Sequence, residues 1–140
     1  ELGKSPGEWK SGGMDMGRRI RTHQDLDVYQ LAFDTAMKIF EYTKSFPDIE
    51  RFALTDQIRR SSRSVCANVA EAWRKRRYQA AFIDSLNHAE AEAAETQVWL
   101  EFSEECQYLE QELVSQLYLS YDYILGKIVN MIRNPDQWIL

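Results

Sequence analysis

Apolar residues recur along this 140-residue chain at steps of three and four, the period of an amphipathic helix, in four successive stretches. The first, Leu26 to Phe46, carries two stripes: Tyr29, Phe33, Ala36, Met37 and Phe40 on one, Val28, Ala32, Ile39 and Tyr42 on the other. That face is wider than one neighbour needs and predicts contacts on two sides, within a bundle or between subunits. Asp25 precedes the run as the expected N-cap, and Pro47 ends it, because proline lacks an amide donor and disfavours helix in the residue before it. In the second stretch Thr55 is the expected N-cap and Asp56 suits the first turn, with Leu54, Ile58, Val65, Val69 and Trp73 as a core face. Ser61, Ser62, Ser64, Ala67, Ala70 and Ala72 are small enough to let helix axes approach, and Asn68 requires a partner if buried.

Phe82, Leu86, Ala89, Ala93, Thr96, Leu100 and Ser103 form an unbroken three-four repeat, and Leu113, Leu117, Tyr121, Ile124 and Ile128 form another. Gly126 is expected to mark a close contact, and Asn134-Pro135 to stop the last helix. Neither glycine nor proline occurs between Arg51 and Leu125, so nothing local forces a turn between the second and third helices. A folded-back hairpin buries the apolar stripes better than one rod. Breaks are therefore expected near Arg76 to Gln79 and at Gln107 to Leu109. The resulting organisation is all-α, with a loose arm over residues 1–24, a bundle over 25–133 and a tail over 134–140 in which Trp138 and Ile139 can dock on the bundle.

Charge sharpens this picture. From Arg51 to Tyr78 there are eight Arg or Lys and two acids, and from Gln79 to Leu113 nine acids and no basic residue, inside a chain of net charge −5. The overall balance argues against indiscriminate polyanion binding, while a local basic patch remains able to bind phosphate. Arg59 and Arg63 lie one turn apart with Arg60 beside them, a stripe of guanidinium groups that can grip phosphates or carboxylates. Glu90, Glu92, Glu95, Glu101, Glu104 and Glu105 are alternative partners for that stripe, across the bundle or across a subunit contact. Arg74, Lys75, Arg76 and Arg77, at the bend and followed by Tyr78, are the better phosphate candidates.

Candidate chemistry adds little. Gly3-Lys4-Ser5 lacks the upstream glycine and strand of a phosphate-binding loop, and Arg18, Arg19 and Arg21 form a short basic arm. Asp84, His88, Glu92 and Glu95 share a helix face, but no Glu-x-x-His pair recurs on two helices as di-iron bundles require, so no metal and no cofactor are expected. Cys66 and Cys106 are expected to be reduced and buried, without the orienting partners of a thiolate nucleophile. Tyr108, Tyr118, Tyr121, Tyr123 and Trp99 are explained by packing, because a base-stacking platform needs positive charge around it. No catalytic constellation is expected, and with no membrane-spanning run or secretion signal in the chain the expected location is cytoplasmic, without membrane contact.

Several motifs together resemble a known family: Asp25-Leu26-Asp27-Val28-Tyr29-Gln30-Leu31-Ala32, Phe46-Pro47 with Glu50-Arg51, Leu54-Thr55-Asp56-Gln57-Ile58-Arg59-Arg60-Ser61-Ser62, Ala67-Asn68-Val69-Ala70-Glu71, Glu95-Thr96-Gln97 and Tyr108-Leu109. This pattern is similar to that of the four helix bundle proteins called S23 or 23S rRNA-intervening-sequence proteins. The resemblance implies an antiparallel up-down four-helix bundle assembled as a homopentameric ring, with no known enzymatic activity and a mostly unassigned function. A related branch, the accessory variability determinant of diversity-generating retroelements, is a basic pentamer that binds nucleic acid and partners a reverse transcriptase. If that role carries over, Arg59, Arg60, Arg63 and Arg74 to Arg77 are the positions to carry it. Ala72 and Gln107 stand where many relatives have glycine, and the acidic third segment weakens phosphate binding. The expected function is a non-enzymatic helical scaffold for structured nucleic acid or a nucleoprotein partner, the alternative a protein-only adaptor whose sorted charges serve its own assembly.

Overall fold

A computed structural model describes residues 19–140. Four helices account for most of them: α1 Asp27–Thr43, α2 Asp56–Arg74, α3 Gln79–Glu105 and α4 Gln111–Arg133, with no strand among the described residues. Their neighbour pairs are α1 with α2, α2 with α3, α3 with α4 and α4 with α1, a closed square in which α2 against α3 is the most extensive contact. Side-chain bonds fix the antiparallel order. Arg59 near the start of α2 donates to Thr43 at the end of α1 (2.9 Å), and Lys127 late in α4 pairs with Asp27 at the start of α1 (2.9 Å). The bends fall where expected, at residues 75–78 and 106–110.

The core is the sum of the predicted faces. Ile58, Val65, Val69 and Trp73 of α2, every named member of the α3 repeat, and Leu117, Tyr121, Ile124 and Ile128 of α4 are buried. At about 1.5–3 kcal/mol for each large side chain, such burial dominates the folding free energy. In the fourth helix Val114 takes the buried position beside half-buried Leu113. Between α2 and α3 the small residues do their expected work: the hydroxyls of buried Ser61 and Thr96 meet at 2.8 Å. Tyr121 is fully buried, its hydroxyl beside Ser62 and Thr96 without a well-directed hydrogen bond, and burial pushes its pKa up. The Lys127–Asp27 pair is also largely buried, at 9% and 19% side-chain exposure, so loss of Lys127 removes the cation that faces the Asp27 carboxylate at a seam between first and last helix.

Several local expectations are corrected. Asp25 does not cap α1: its carboxylate accepts from the amides of Arg21 (2.8 Å) and Thr22 (3.1 Å), closing a short turn over His23–Asp25, and Leu26 precedes the helix. Thr55 does not cap α2 either, because the chain enters that helix through a wider π-type turn, Arg51–Thr55, and Thr55 is itself helical (φ −58°, ψ −51°). Gly126 marks no close contact, since a Cβ there would meet nothing within 4 Å. Cys66 is buried but Cys106 is exposed, and both thiols are free. Asn68 is half-buried and satisfied, its amide donating to the Ser64 carbonyl (2.8 Å).

The described end of the arm and the tail both pack on the bundle. Residues 1–18, with the Gly3-Lys4-Ser5 segment and Arg18, lie outside the described residues; from Arg19 onward Ile20 packs against the core and the His23 ring meets Tyr29 edge-on at 4.8 Å. At the other terminus Trp138 docks as anticipated and is 4% exposed, while the Leu140 amide donates to the carbonyl of Arg76 (3.1 Å). The tail therefore lies against the α2–α3 bend.

Candidate nucleic-acid interface

The cations nominated from sequence fall into two groups with different surroundings. At the α2–α3 bend, Arg74, Lys75 and Arg77 are exposed and Tyr78 is 71% exposed. Like charges crowd this end of α2, where the C-terminal carbonyls favour positive side chains. Lys75 pairs with Glu71 one turn back (3.5 Å), whereas Arg74 and Arg77 make no ion pair among the described residues. Arg76 differs. Its guanidinium carbon sits 3.4 Å from the centroid of the Trp73 ring, its Nε donates to the Trp73 carbonyl (2.7 Å), and burial followed by the neighbouring Arg74 charge lowers its pKa. Arg76 thus braces the bend, and Arg74, Lys75 and Arg77 are the groups it offers to solvent.

The second group lies on the flank of α2. Arg59 and Arg63, on one face, stack over the Phe40 ring of α1 at 4.8 and 5.6 Å, and Arg59 also donates to the Phe40 carbonyl (3.4 Å). Such contacts orient the planar guanidinium and hold it against apolar surface. With Asp56, Arg60 and Ala67 these groups line an open groove of about 640 Å³. No ion pair within the chain joins Arg59, Arg60 or Arg63 to the carboxylates of α3 among the described residues, because Arg59 and Arg63 face α1. Arg60 does act on α3 through its charge: Glu92 has its pKa raised by burial and by Glu95, opposed by His88 and Arg60.

Beside the arginines the first α1 stripe is only partly buried: Ala36 is in the core, and Tyr29 and Phe40 are half-buried. Phe33 and Met37 are 41% and 44% exposed, and with Tyr29, Ala67 and Ala70 they border an apolar hollow of about 350 Å³ above buried Cys66. On the opposite side of the square, α3 and α4 frame a groove of about 570 Å³ lined by Glu101, Glu104, Val114, Tyr118, Leu119 and Asp122. The bundle thus carries an aromatic-cationic flank and an apolar-anionic flank, back to back. Phe40, Phe102 and Leu119 were not singled out as surface groups in the sequence. The available signal was the double stripe on α1, one stripe more than the core can hold.

The thiol of Cys66 is pushed up to about 12 by burial, which leaves it protonated and unreactive at neutral pH. His88 is exposed and lies 3.7 Å from Asp84, and among the described residues no group of three metal-ligating side chains converges. No helix among the described residues is long and apolar enough to cross a membrane.

The model of the 23S rRNA-intervening sequence proteins matches residues 24–130. The chain belongs to that family. A solved structure from Bacteroides thetaiotaomicron VPI-5482, a protein of unknown function from the S23 ribosomal protein family, is 29% identical over 76% of this chain and 95% of its own, with a TM-score of 0.68. Among curated proteins none matches the chain. This member of the intervening-sequence family has the four-helix architecture described above, and the match spans the bend, the arginine flank and the acidic third helix alike.

Proposed function

We propose that this protein is a non-enzymatic scaffold that assembles with copies of itself, as a pentameric ring by family resemblance, and presents the α2–α3 bend to structured nucleic acid. One observation carries the reading: the cations divide into a flank set, Arg59 and Arg63, laid over Phe40 beside exposed apolar groups of α1, and a bend set, Arg74 and Arg77, exposed and in no ion pair among the described residues. The flank set has the composition of an interface core, aromatic and arginine-rich, and the opposite flank offers carboxylates among apolar groups. Two complementary faces on opposite sides of one subunit make a head-to-tail contact, which closes into a ring when the rotation per subunit allows it. The bend set then remains available for phosphate.

The test separates the two sets. Arg59→Glu with Arg63→Glu is expected to split the assembly in native mass spectrometry, and Arg74→Glu with Arg77→Glu to leave the assembly whole while abolishing salt-sensitive binding of labelled RNA or DNA. A parent protein that assembles but binds neither RNA nor DNA at low salt refutes the nucleic-acid half and leaves the protein-only adaptor. That second reading draws on the same flank chemistry and on the carboxylates of α3.

A further inference from the structure

The square, antiparallel arrangement brings together cations that are far apart in sequence. The end of the bundle that holds the 75–78 bend also holds the start of α1 and the end of α4: Lys127 pairs with Asp27 there, and the tail that follows α4 reaches the Arg76 carbonyl. Arg19 and Arg21, in the segment leading into α1, and Arg133, the last residue of α4, are exposed at this end with Arg74 and Arg77. None of the five makes an ion pair among the described residues. Among the described residues most carboxylates nearby are engaged: Asp25 by backbone amides, Asp27 by Lys127, Glu71 by Lys75; exposed Asp84, in the second turn of α3, faces only His88 (3.7 Å), and Asp136 makes no ion pair.

The other end is the reverse. Glu41, Asp48, Glu105, Glu110 and Glu112 are exposed there, with Glu101 one turn in and Glu50, Asp56 and Glu104 half-buried, against Lys44, Arg51 and, near the start of α2, Arg59 and Arg60. The field of the subunit therefore runs along the bundle axis, positive at the end with the bend and negative at the other. A polyanion is drawn to one end and repelled from the other.

We infer that the phosphate-binding surface is this whole end, a platform assembled from the lead-in to α1 (Arg19, Arg21), the bend (Arg74, Arg77) and the close of α4 (Arg133), and that nucleic acid lies across it. The inference rests on the nucleic-acid reading above and deepens it. Cations spread over three separate segments suit a ligand that repeats its charge along its length better than a lone phosphate, which selects convergent donors. Tyr78, exposed at the platform, adds a ring for an unpaired base. The tail holds the platform together, because Trp138 anchors in the core and Leu140 bonds to the bend.

The experiment is a KCl series of anisotropy titrations on the full chain, with a fluorescein-labelled RNA hairpin and a DNA duplex of the same sequence as probes. Arg19→Gln, Arg21→Gln and Arg133→Gln together are expected to reduce the slope of log affinity against log salt by about 2–3, since each phosphate left without its arginine removes roughly 0.7–0.9, and to weaken low-salt binding more than tenfold. Arg51→Gln, an exposed cation at the opposite end, is the control and is expected to leave the slope unchanged. If the parent binds and the triple variant keeps the parental slope, the platform is wrong while the bend remains a site. If Arg51→Gln lowers the slope as much per charge as the triple variant, the effect is net charge and the platform is again wrong. Binding to neither probe by the parent overturns the underlying reading itself. Far-UV circular dichroism checks the fold, which these exposed side chains do not support.

Discussion

Replacing Trp138 by alanine tests whether the tail is part of the folded unit. The side chain is 4% exposed and belongs to the core cluster. A buried tryptophan removes about 150–250 Å² from water, worth roughly 4–6 kcal/mol at about 25 cal/mol per Å², and core truncations of this kind cost about 3–5 kcal/mol. The tail can detach, which limits the loss to what its docking contributes, so the expected value is the lower part of that range, about 3 kcal/mol. For a domain of this size that lowers the melting temperature by roughly 10 °C. Trp138→Phe is the informative partner. The indole N–H has no acceptor among the described residues, and an unpaired buried donor costs about 1–3 kcal/mol, so phenylalanine removes that penalty while losing part of the ring and should cost under about 1.5 kcal/mol. Urea unfolding followed by circular dichroism measures both variants, and amide exchange at Leu140, which bonds to Arg76, reports tail release directly. An alanine variant within about 1 kcal/mol of the parent, or a phenylalanine variant as damaged as the alanine one, would show that ring burial does not anchor the tail.

Three further outcomes are expected. Iodoacetamide should label Cys106 within minutes in the native protein and Cys66 only after unfolding, since one thiol is exposed and the other is buried with its pKa pushed up to about 12; equal labelling rates would contradict the packing of α2. Gln107→Gly should raise stability by roughly 0.5–1 kcal/mol in urea melts, because relief of a left-handed backbone, about 1–2 kcal/mol, exceeds the extra unfolded-state entropy of glycine. Glu92→Gln should stabilise the protein at neutral pH and show no gain in acid: the folded-state pKa is raised, so the native glutamate loses stability as pH rises through that pKa, and below the ordinary glutamate range both states are protonated. A pH-independent gain in thermal melts would assign the effect to packing instead.

Periodicity made the helices and most of the core legible, because burial in a bundle repeats with the helix itself. On α1 it also showed two stripes, and what it could not show is which one faces inward. Val28, Ala32 and Ile39 are buried, while Phe33 and Met37 remain on the surface. Helix starts were the weaker reading. A side chain that can cap a helix competes with other local bonds, and Asp25 is taken by the amides of Arg21 and Thr22, while Thr55 lies inside a continuous entry into α2. The second bend was legible only as a location. Its closing geometry, with the Tyr108 amide bonded to the Ser103 carbonyl (2.9 Å) and Gln107 at φ 63°, is the kind of helix ending that normally recruits glycine. For the candidate site, the run Arg74 to Arg77 identified the bend, and Arg76 folds back on Trp73 only three residues away, but no spacing rule could predict that Arg19, Arg21 and Arg133 arrive at the same end. Those relations depend on which helices are neighbours.

The bend at residues 75–78 has no glycine or proline of its own and is closed by the Tyr78 amide on the Lys75 carbonyl (3.1 Å), by Arg76 on Trp73 and by the Leu140 amide on the Arg76 carbonyl, so its shape is conditional on those contacts. When the tail lifts and the α2–α3 packing loosens, the two helices are free to straighten into one, and the unsatisfied stripe of α3 can be met by α2 of a second molecule with every native contact restored. The chain thus carries a route to reciprocal arm exchange, a domain-swapped dimer favoured at high protein concentration and suppressed by whatever fastens the bend.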